Sequence, residues 1–259
     1  MIPFKEIYDS IYKNYETSQK VNIVLHFKKI AKLEFTADSF IFYNAVSAMS
    51  SSKIEGEEMD IDSYVKYKSN NIKYIASLVE KPNDLFSAYV FAQKNKLSKK
   101  NILDAHKIVT KHLLHSSFRG KIRNSDMVIK DEKSGLIVYE AFFKEIIEAE
   151  FNFFILELNL LLEQKLTLEQ TFFYASLLHL YFVKLHPFDD GNGRMGRLLE
   201  KWFLSEKLGQ SAWFIQSELN YWNNRQKFYR FLSQVGFFYD KLNFQEAINF
   251  LLLTPQSLK

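Results

Sequence analysis

Residues 186–197 read His-Pro-Phe-Asp-Asp-Gly-Asn-Gly-Arg-Met-Gly-Arg. These residue types and their spacing suit metal-assisted phosphate chemistry. Pro187 cannot continue a preceding helix, so His186 lies where one stops. Gly191 and Gly193 permit positive φ and leave backbone N–H groups without side-chain cover. A glycine-bearing loop that feeds a helix N-terminus offers free amides and the positive end of the helix dipole to an anion. Arg194 and Arg197 are three residues apart and share one face of that helix. Two guanidinium forks beside such a nest suit a polyphosphate. An arginine in a first turn opposes the dipole at a cost of a few tenths of a kcal/mol, which a bound anion would offset. Asp189 and Asp190 supply hard oxygen ligands where Mg²⁺ would accompany the phosphates. His186, titrating near neutrality, suits the role of base for a hydroxyl.

Each feature also has an ordinary explanation. A histidine before proline is often structural, paired aspartates often mark a solvated turn, and Arg197 could pair with Glu200 one turn on for about 0.3 kcal/mol. Their concentration in one short segment favours a site.

The elements that must position this segment read as helices. At 259 residues, 47% apolar and with 25 Phe, the chain can bury one sizeable core, and only 4 Pro interrupt it. Thr167-Leu168-Glu169-Gln170 is a capping-box pattern that opens a run to Leu185, apolar on nearly every face and hence central in a bundle. A second helix is predicted from near Gly193 to just before Gly209. Residues 215–234 predict another, with Trp222, Phe228, Tyr229, Phe231 and Leu232 facing the core. Upstream, Asp38 is the expected cap of a helix that carries Phe40, Phe42 and Val46 towards Gly56. One stretch breaks the pattern. Met127-Val128-Ile129 and Leu136-Ile137-Val138-Tyr139 flank the polar residues 130–135, which predicts a small β-hairpin with Ser134-Gly135 in its turn.

Composition excludes several classes. A net charge of +4 without a dense basic run makes no case for nucleic acid. With no Cys there is no disulfide, thiolate zinc site or cysteine nucleophile, which fits a reducing compartment. The N-terminus lacks the apolar region of a secretory signal. The greasiest stretch, 151–162, is interrupted by Asn152, Glu157 and Asn159 and is too short to span a bilayer. The expectation is a soluble, cytoplasmic protein with no membrane partner.

Residues 186–197 match HxFx[D/E]GNGRxxR, the motif of the Fic family, at every specified position, and in this the chain resembles that family. The resemblance implies an all-α, Fic-type helical bundle with a small β-hairpin flap, and transfer of AMP from ATP, with Mg²⁺, to a protein Tyr, Thr or Ser. By position, His186 resembles the base and Phe188 the anchor of the loop. Asp190 resembles the Mg²⁺ ligand. Asn192, with the amides around Gly191 and Gly193, resembles the α-phosphate anion hole. Arg194 and Arg197 resemble the β- and γ-phosphate ligands. Asp189 occupies a variable position and is given no role. Gly120-Lys121-Ile122-Arg123 is similar to the GxxR stretch that precedes the family's flap. Residues 125–139 would then be the flap, with Ser125, Asp126, Met127, Val128 and Ile129 docking a target segment by strand addition. Tyr221 and Trp222 fall where the family often places adenine-pocket residues. Where many relatives have a proline-rich stretch after the flap, this chain reads Tyr139-Glu140-Ala141-Phe142-Phe143.

Ser51-Ser52-Lys53-Ile54-Glu55-Gly56 resembles the family's inhibitory [S/T]xxxE[G/N] motif. Independently, a glutamate at the C-terminal end of a helix sits at the wrong end of the dipole and calls for a cation. The resemblance names that cation as Arg197, with Ser51 bracing the contact. Alternatively, Glu55 belongs to an acidic surface patch with Glu57, Glu58 and Asp60. The expected organisation is an N-terminal helical region carrying this motif (1–85), a core with flap and catalytic motif (86–209) and C-terminal helices completing the core (210–259). The partner would be a protein with an exposed hydroxyl residue, which could be the chain itself, and homo-oligomers are compatible with the sequence. Other donors such as UTP or GTP, removal of AMP with Glu55 positioning water, or ATP binding without turnover remain alternatives.

Overall fold

The computed structural model describes residues 2–70, 72–130, 135–141 and 143–259. In chain order the first helices are α1 (Phe4–Ser18), α2 (Ile23–Ile30), α3 (Ala37–Ile54), α4 (Ile61–Asn70), α5 (Ala76–Lys94) and α6 (Lys99–Val109). Strands β1 (Val128–Lys130) and β2 (Ile137–Glu140) follow. The chain then continues through α7 (Lys144–Glu163), α8 (Leu168–Leu185), α9 (Asn192–Leu208), α10 (Ser217–Asn223), α11 (Arg225–Gln234), α12 (Ile248–Leu251) and α13 (Leu253–Gln256). The bundle is all-α apart from the hairpin, as its composition and periodicity predict.

α8 is the central helix. Thr167 accepts from the Gln170 amide, and the Gln170 side chain accepts from the Thr167 amide, so both orphan donors of the first turn are satisfied. Every residue from Thr171 to Leu185 is buried, which is why this helix shows no polar stripe. α9 packs closely against it. A Cβ on Gly196 would meet His179 Cδ2 and Val183 Cγ2, each at 2.8 Å. Gly196→Ala is therefore expected to cost about 1–3 kcal/mol through overpacking, read as a lower denaturant midpoint with an unchanged m-value.

Buried residues from Phe4 to Leu258 form one hydrophobic cluster, so the terminal helices share the central core. The boundary expected after residue 85 falls inside α5, where Leu85 and Phe86 are both buried. Four expectations are corrected. α3 is capped by Thr36 in a capping box with Ser39, two residues before Asp38, and Phe42 is exposed. Residues 215–234 form two helices, α10 and α11, separated at Asn224, whose backbone leaves the helical region (φ −114°, ψ 29°). Of the apolar residues expected to face the core there, Phe228 is buried and Tyr229 is exposed. Their spacing reads as one helix only if the break at Asn224 is missed.

β1 and β2 pair antiparallel, Val128 with Glu140 and Ile129 with Tyr139, with an irregularity between Ile129 and Lys130. Residues 131–134, including the predicted turn residue Ser134, lie outside the described residues, and so does Phe142 in the stretch after β2. The hairpin is tied to the body through β2. The Glu140 amide donates to the Phe237 carbonyl (2.9 Å), and the Tyr139 hydroxyl donates to the Lys184 carbonyl. Lys184 Nζ lies 4.3 Å from the Tyr139 ring centroid and donates to the Gly236 carbonyl (2.8 Å). No helix among the described residues is long and apolar enough to cross a membrane.

Candidate active site

α8 ends at His186, whose backbone is left-handed (φ 52°, ψ 59°). Among the described residues it alone combines positive φ with a side chain. Strain of this kind persists only where the surroundings hold it. Here Arg123 holds it: its Nε donates to the His186 carbonyl (2.8 Å), and its amide donates to the Pro187 carbonyl (3.0 Å). His186 Nδ1 lies 3.0 Å from the Val183 carbonyl. A carbonyl only accepts, so Nδ1 carries the proton and Nε2 the lone pair. Burial pushes the imidazole pKa down to about 4, against the Val183 contact that raises it. At neutral pH the ring is an uncharged acceptor.

The loop after His186 is braced from within and from α6. Phe188 is fully buried and stacks on His106 with ring centroids 3.7 Å apart. Asn192 spans the loop: its Oδ1 accepts from the Phe188 amide (3.0 Å), and its Nδ2 donates to the Phe188 carbonyl (2.7 Å). At 2% exposure this side chain is turned into the loop that it braces. His106 was not singled out by any sequence pattern. Its Nδ1 accepts from the Gly120 amide (2.8 Å), so its Nε2–H donates to the Asp190 carbonyl (2.9 Å). One neutral imidazole thus joins the GxxR stretch to the loop after His186. Burial holds the His106 pKa at about 4 despite the Asp190 carbonyl.

Both histidines titrate lower in the folded state than the ordinary 6.5. Between about pH 4 and 6.5 the unfolded chain therefore binds more protons, and folding stability rises with pH across that window. The thermal midpoint should climb through it, and His106→Gln should flatten part of the slope.

Gly191 starts α9 in a left-handed conformation (φ 78°), and a Cβ there would meet Thr110 Cγ2 at 2.8 Å. Among the described residues no side chain caps α9, so its dipole and first-turn amides face the loop. Asp190 is exposed, and its Oδ1 accepts from the Gly191 amide (2.6 Å). Arg194 and Arg197 are both buried, at 4% and 1% exposure. The structure brings the distant Ser51 and Glu55 to them. Arg197 Nη2 donates to Glu55 Oε1 (2.5 Å), its Nε to Ser51 Oγ (2.7 Å) and its Nη2 also to the Ser51 carbonyl (3.2 Å). The Glu55 carboxylate also lies over the first turn of α9, since a Cβ on Gly193 would meet Glu55 Oε1 at 2.5 Å. Burial raises the Glu55 pKa, but Arg197 and then Arg194 outweigh it and hold the carboxyl below its usual range. The acidic patch expected at 55–60 is divided, because Glu57 also turns inward, to Arg194 and Lys81.

Glu200 is not the partner of Arg197. It accepts from Tyr221 Oη (2.6 Å) and pairs with His179 Nδ1 (2.8 Å). Tyr221 is fully buried, its hydroxyl also bonded to Thr254 (2.8 Å), so the expected adenine contact is corrected to a core role. Trp222 packs under the Lys53 ammonium, 5.0 Å from its ring centroid. Tyr229, assigned to the core by its spacing, instead stands at the rim. It is 41% exposed and donates to the Ile54 carbonyl (3.1 Å), one residue from Glu55.

The expected flap residues 125–129 lead from Arg123 into β1. Arg123 Nη1 donates to the Ser125 carbonyl (2.5 Å), Asp126 Oδ1 accepts the first amide of α7 (3.0 Å), and Met127 accepts from the Ala141 amide (3.0 Å). Val128 is exposed and Ile129 half-buried.

A motif with this geometry can be compared with known proteins. Residues 96–204 match the model of the Fic/DOC family. This segment is similar to Fic/DOC domains. Such domains are typically transferases. Solved structures extend the likeness across the bundle. A Fic family protein from Desulfovibrio desulfuricans G20 superposes with a TM-score of 0.74 at 17% identity, covering 92% of this chain and 72% of that one. A Fic-domain signaling protein from Bacteroides thetaiotaomicron VPI-5482 gives 0.64 at 15% identity, covering 97% of this chain and 93% of that one. Fic-1 from C. elegans gives 0.64 at 14% identity, covering 97% of this chain and 72% of that one. At these identities the likeness is one of fold. No curated protein matches the sequence.

Proposed function

We propose that the protein is a protein adenylyltransferase, transferring AMP from ATP to a Tyr, Thr or Ser hydroxyl, and that the Glu55–Arg197 pair restrains it. The observation that carries this reading is a neutral His186, Nε2 lone pair available, beside an uncapped helix N-terminus and two buried arginines. The target hydroxyl gives its proton to His186 Nε2 as its oxygen attacks the α-phosphorus, and pyrophosphate leaves. Amides of the α9 first turn receive charge on the α-phosphate, while Arg194 and Arg197 hold the departing phosphates. The residues present fit Mg²⁺: Asp190 is exposed and keeps Oδ2 for a cation that draws most of its ligands from phosphates and water. When bound, the ion supplies charge neutralisation at the phosphates. The exposed Val128 edge of the flap suits main-chain pairing with a target segment.

The test is incubation of the Glu55→Gly variant with α-labelled ATP and Mg²⁺, with intact mass read on the enzyme and on candidate proteins. Covalent addition of AMP that needs His186 supports the reading. Absence of label, or label indifferent to His186→Ala, overturns it. Running UTP and GTP in parallel identifies the donor base.

A further inference from the structure

Glu55 is one of two carboxylates on the same turn that reach the arginines. Gly56 takes a left-handed conformation (φ 94°), and the Glu57 amide returns to the Ser52 carbonyl (3.1 Å). The chain therefore doubles back, and Lys53 Nζ fixes the fold-back by donating to the Glu58 and Met59 carbonyls, each at 3.3 Å. Glu57 is thereby aimed inward, with its side chain only 13% exposed. Its Oε1 lies 2.9 Å from Lys81 Nζ and 3.4 Å from Arg194 Nη2, so one oxygen is shared by two cations.

The contact with Arg194 is long for a charge-assisted hydrogen bond, which settles at about 2.7–2.9 Å. Arg194 Nε, moreover, is buried and has no partner among the described residues. A guanidinium with this much unmet donor capacity is poorly served by a single carboxylate oxygen. A phosphate offers more oxygens over a wider arc. Three cations, Lys81, Arg194 and Arg197, converge on two carboxylates that are covalently part of the chain. Glu55 and Glu57 each hold an anionic oxygen where a polyphosphate would place one.

We infer that Lys81 is a third cation of the polyphosphate site and that Glu57 is a second internal anion occupying it. This rests on the nucleotide reading above and adds two residues to it. ATP would displace both carboxylates and take Arg194 and Lys81 through its outer phosphates, while AMP, which lacks them, would make neither contact. Lys81, on α5 and 38% exposed at its side chain, is the member of the trio that can move outward to admit the ligand.

The experiment measures ATP and AMP affinities by calorimetry, with Glu55→Gly as the reference. Added to it, Glu57→Gln should tighten ATP by roughly 3- to 10-fold, and Lys81→Gln should weaken it by a similar factor, with Lys81→Arg restoring most of the loss. AMP affinity should not change in any of them. Circular dichroism and thermal midpoints identify any variant that has lost its fold, and the isosteric Glu57→Gln provides a reading independent of Lys81. If the reference variant binds ATP while Glu57→Gln and Lys81→Gln leave its affinity unchanged, the inference is overturned and the nucleotide site stands. Equal effects on ATP and AMP would overturn it too. A reference variant that binds no ATP removes the nucleotide reading and this inference together.

Discussion

Replacing Glu55 with glycine is expected to raise affinity for ATP by on the order of a hundredfold. Arg197 is almost wholly out of solvent, and among the described residues Glu55 supplies its carboxylate contact, with Ser51 providing two neutral acceptors. Removing one partner of a buried ion pair costs about 3–5 kcal/mol, because the other charge stays buried without compensation. The retained Ser51 contacts and the partial exposure of Glu55, 28% at its side chain, place the value near the lower limit. A ligand anion that reaches Arg197 recovers that loss, and about 3 kcal/mol corresponds to a factor of roughly a hundred in affinity. Glycine also removes the carboxylate that overlies Gly193, freeing the first turn of α9. The variant without ligand should melt lower than the wild type, and saturating ATP should raise its midpoint by more. Equal dissociation constants for the two proteins would show that the Glu55–Arg197 pair does not compete with nucleotide.

Acidity does not release this pair near neutrality. The Glu55 carboxyl is held below its usual range by Arg197 and Arg194, so the attraction is complete above the ordinary glutamate pKa and fades only as pH falls through the lowered one. Relief at physiological pH must come from moving the end of α3. That end is anchored at its neighbouring turns: Lys201 Nζ donates to Ser47 Oγ (2.5 Å) and to Glu218 (2.7 Å), and Tyr229 holds the Ile54 carbonyl. Movement confined to Glu55 and the turn after it leaves these contacts intact.

What the sequence made legible divides along physical lines. The central helix was readable because its capping box and unbroken apolar run are local signals, and the candidate loop at 186–197 because its glycines, arginines and acidic residues lie within one short segment. Glu55 was readable as a residue at the wrong end of a dipole in need of a cation. The roles of His106 and Arg123 were hidden, since each acts by hydrogen bonds to main-chain groups more than 60 residues away, at Asp190 and His186, and no side-chain pattern encodes a carbonyl. Tyr221 and Tyr229 exchanged roles for one reason. Aromatic spacing alone cannot show that the chain breaks at Asn224, which leaves Tyr229 at the rim while Tyr221 turns into the core beside Glu200. The inward turn of Glu57 depends on the fold-back at Gly56, so a run of acidic residues looked like solvated surface.

His186→Ala is expected to abolish most transfer while leaving ATP binding nearly intact. The His186 ring has its Nδ1 fixed on Val183, and the pKa of about 4 keeps Nε2 unprotonated throughout the neutral range. A base so positioned contributes roughly 10²- to 10⁴-fold, and that factor is the expected fall in kcat at saturating ATP in the Glu55→Gly background. The ATP dissociation constant should change by no more than about threefold, because the phosphates are assigned to α9 amides and arginines, none of which lies on α8. The left-handed backbone at 186 complicates alanine, which tolerates that region poorly, so a small loss of stability is expected as well. His186→Asn separates the effects, since asparagine accepts the left-handed conformation yet cannot serve as a base. Both variants should lose transfer alike while differing in thermal midpoint. The pH profile adds a sharper reading: with the imidazole already neutral, kcat in the reference enzyme should stay level through pH 6.5 and fall only as pH approaches about 4. An inflection near 6.5 would mean that His186 is solvated and charged in the working complex. Retained transfer in both variants would remove it as the base.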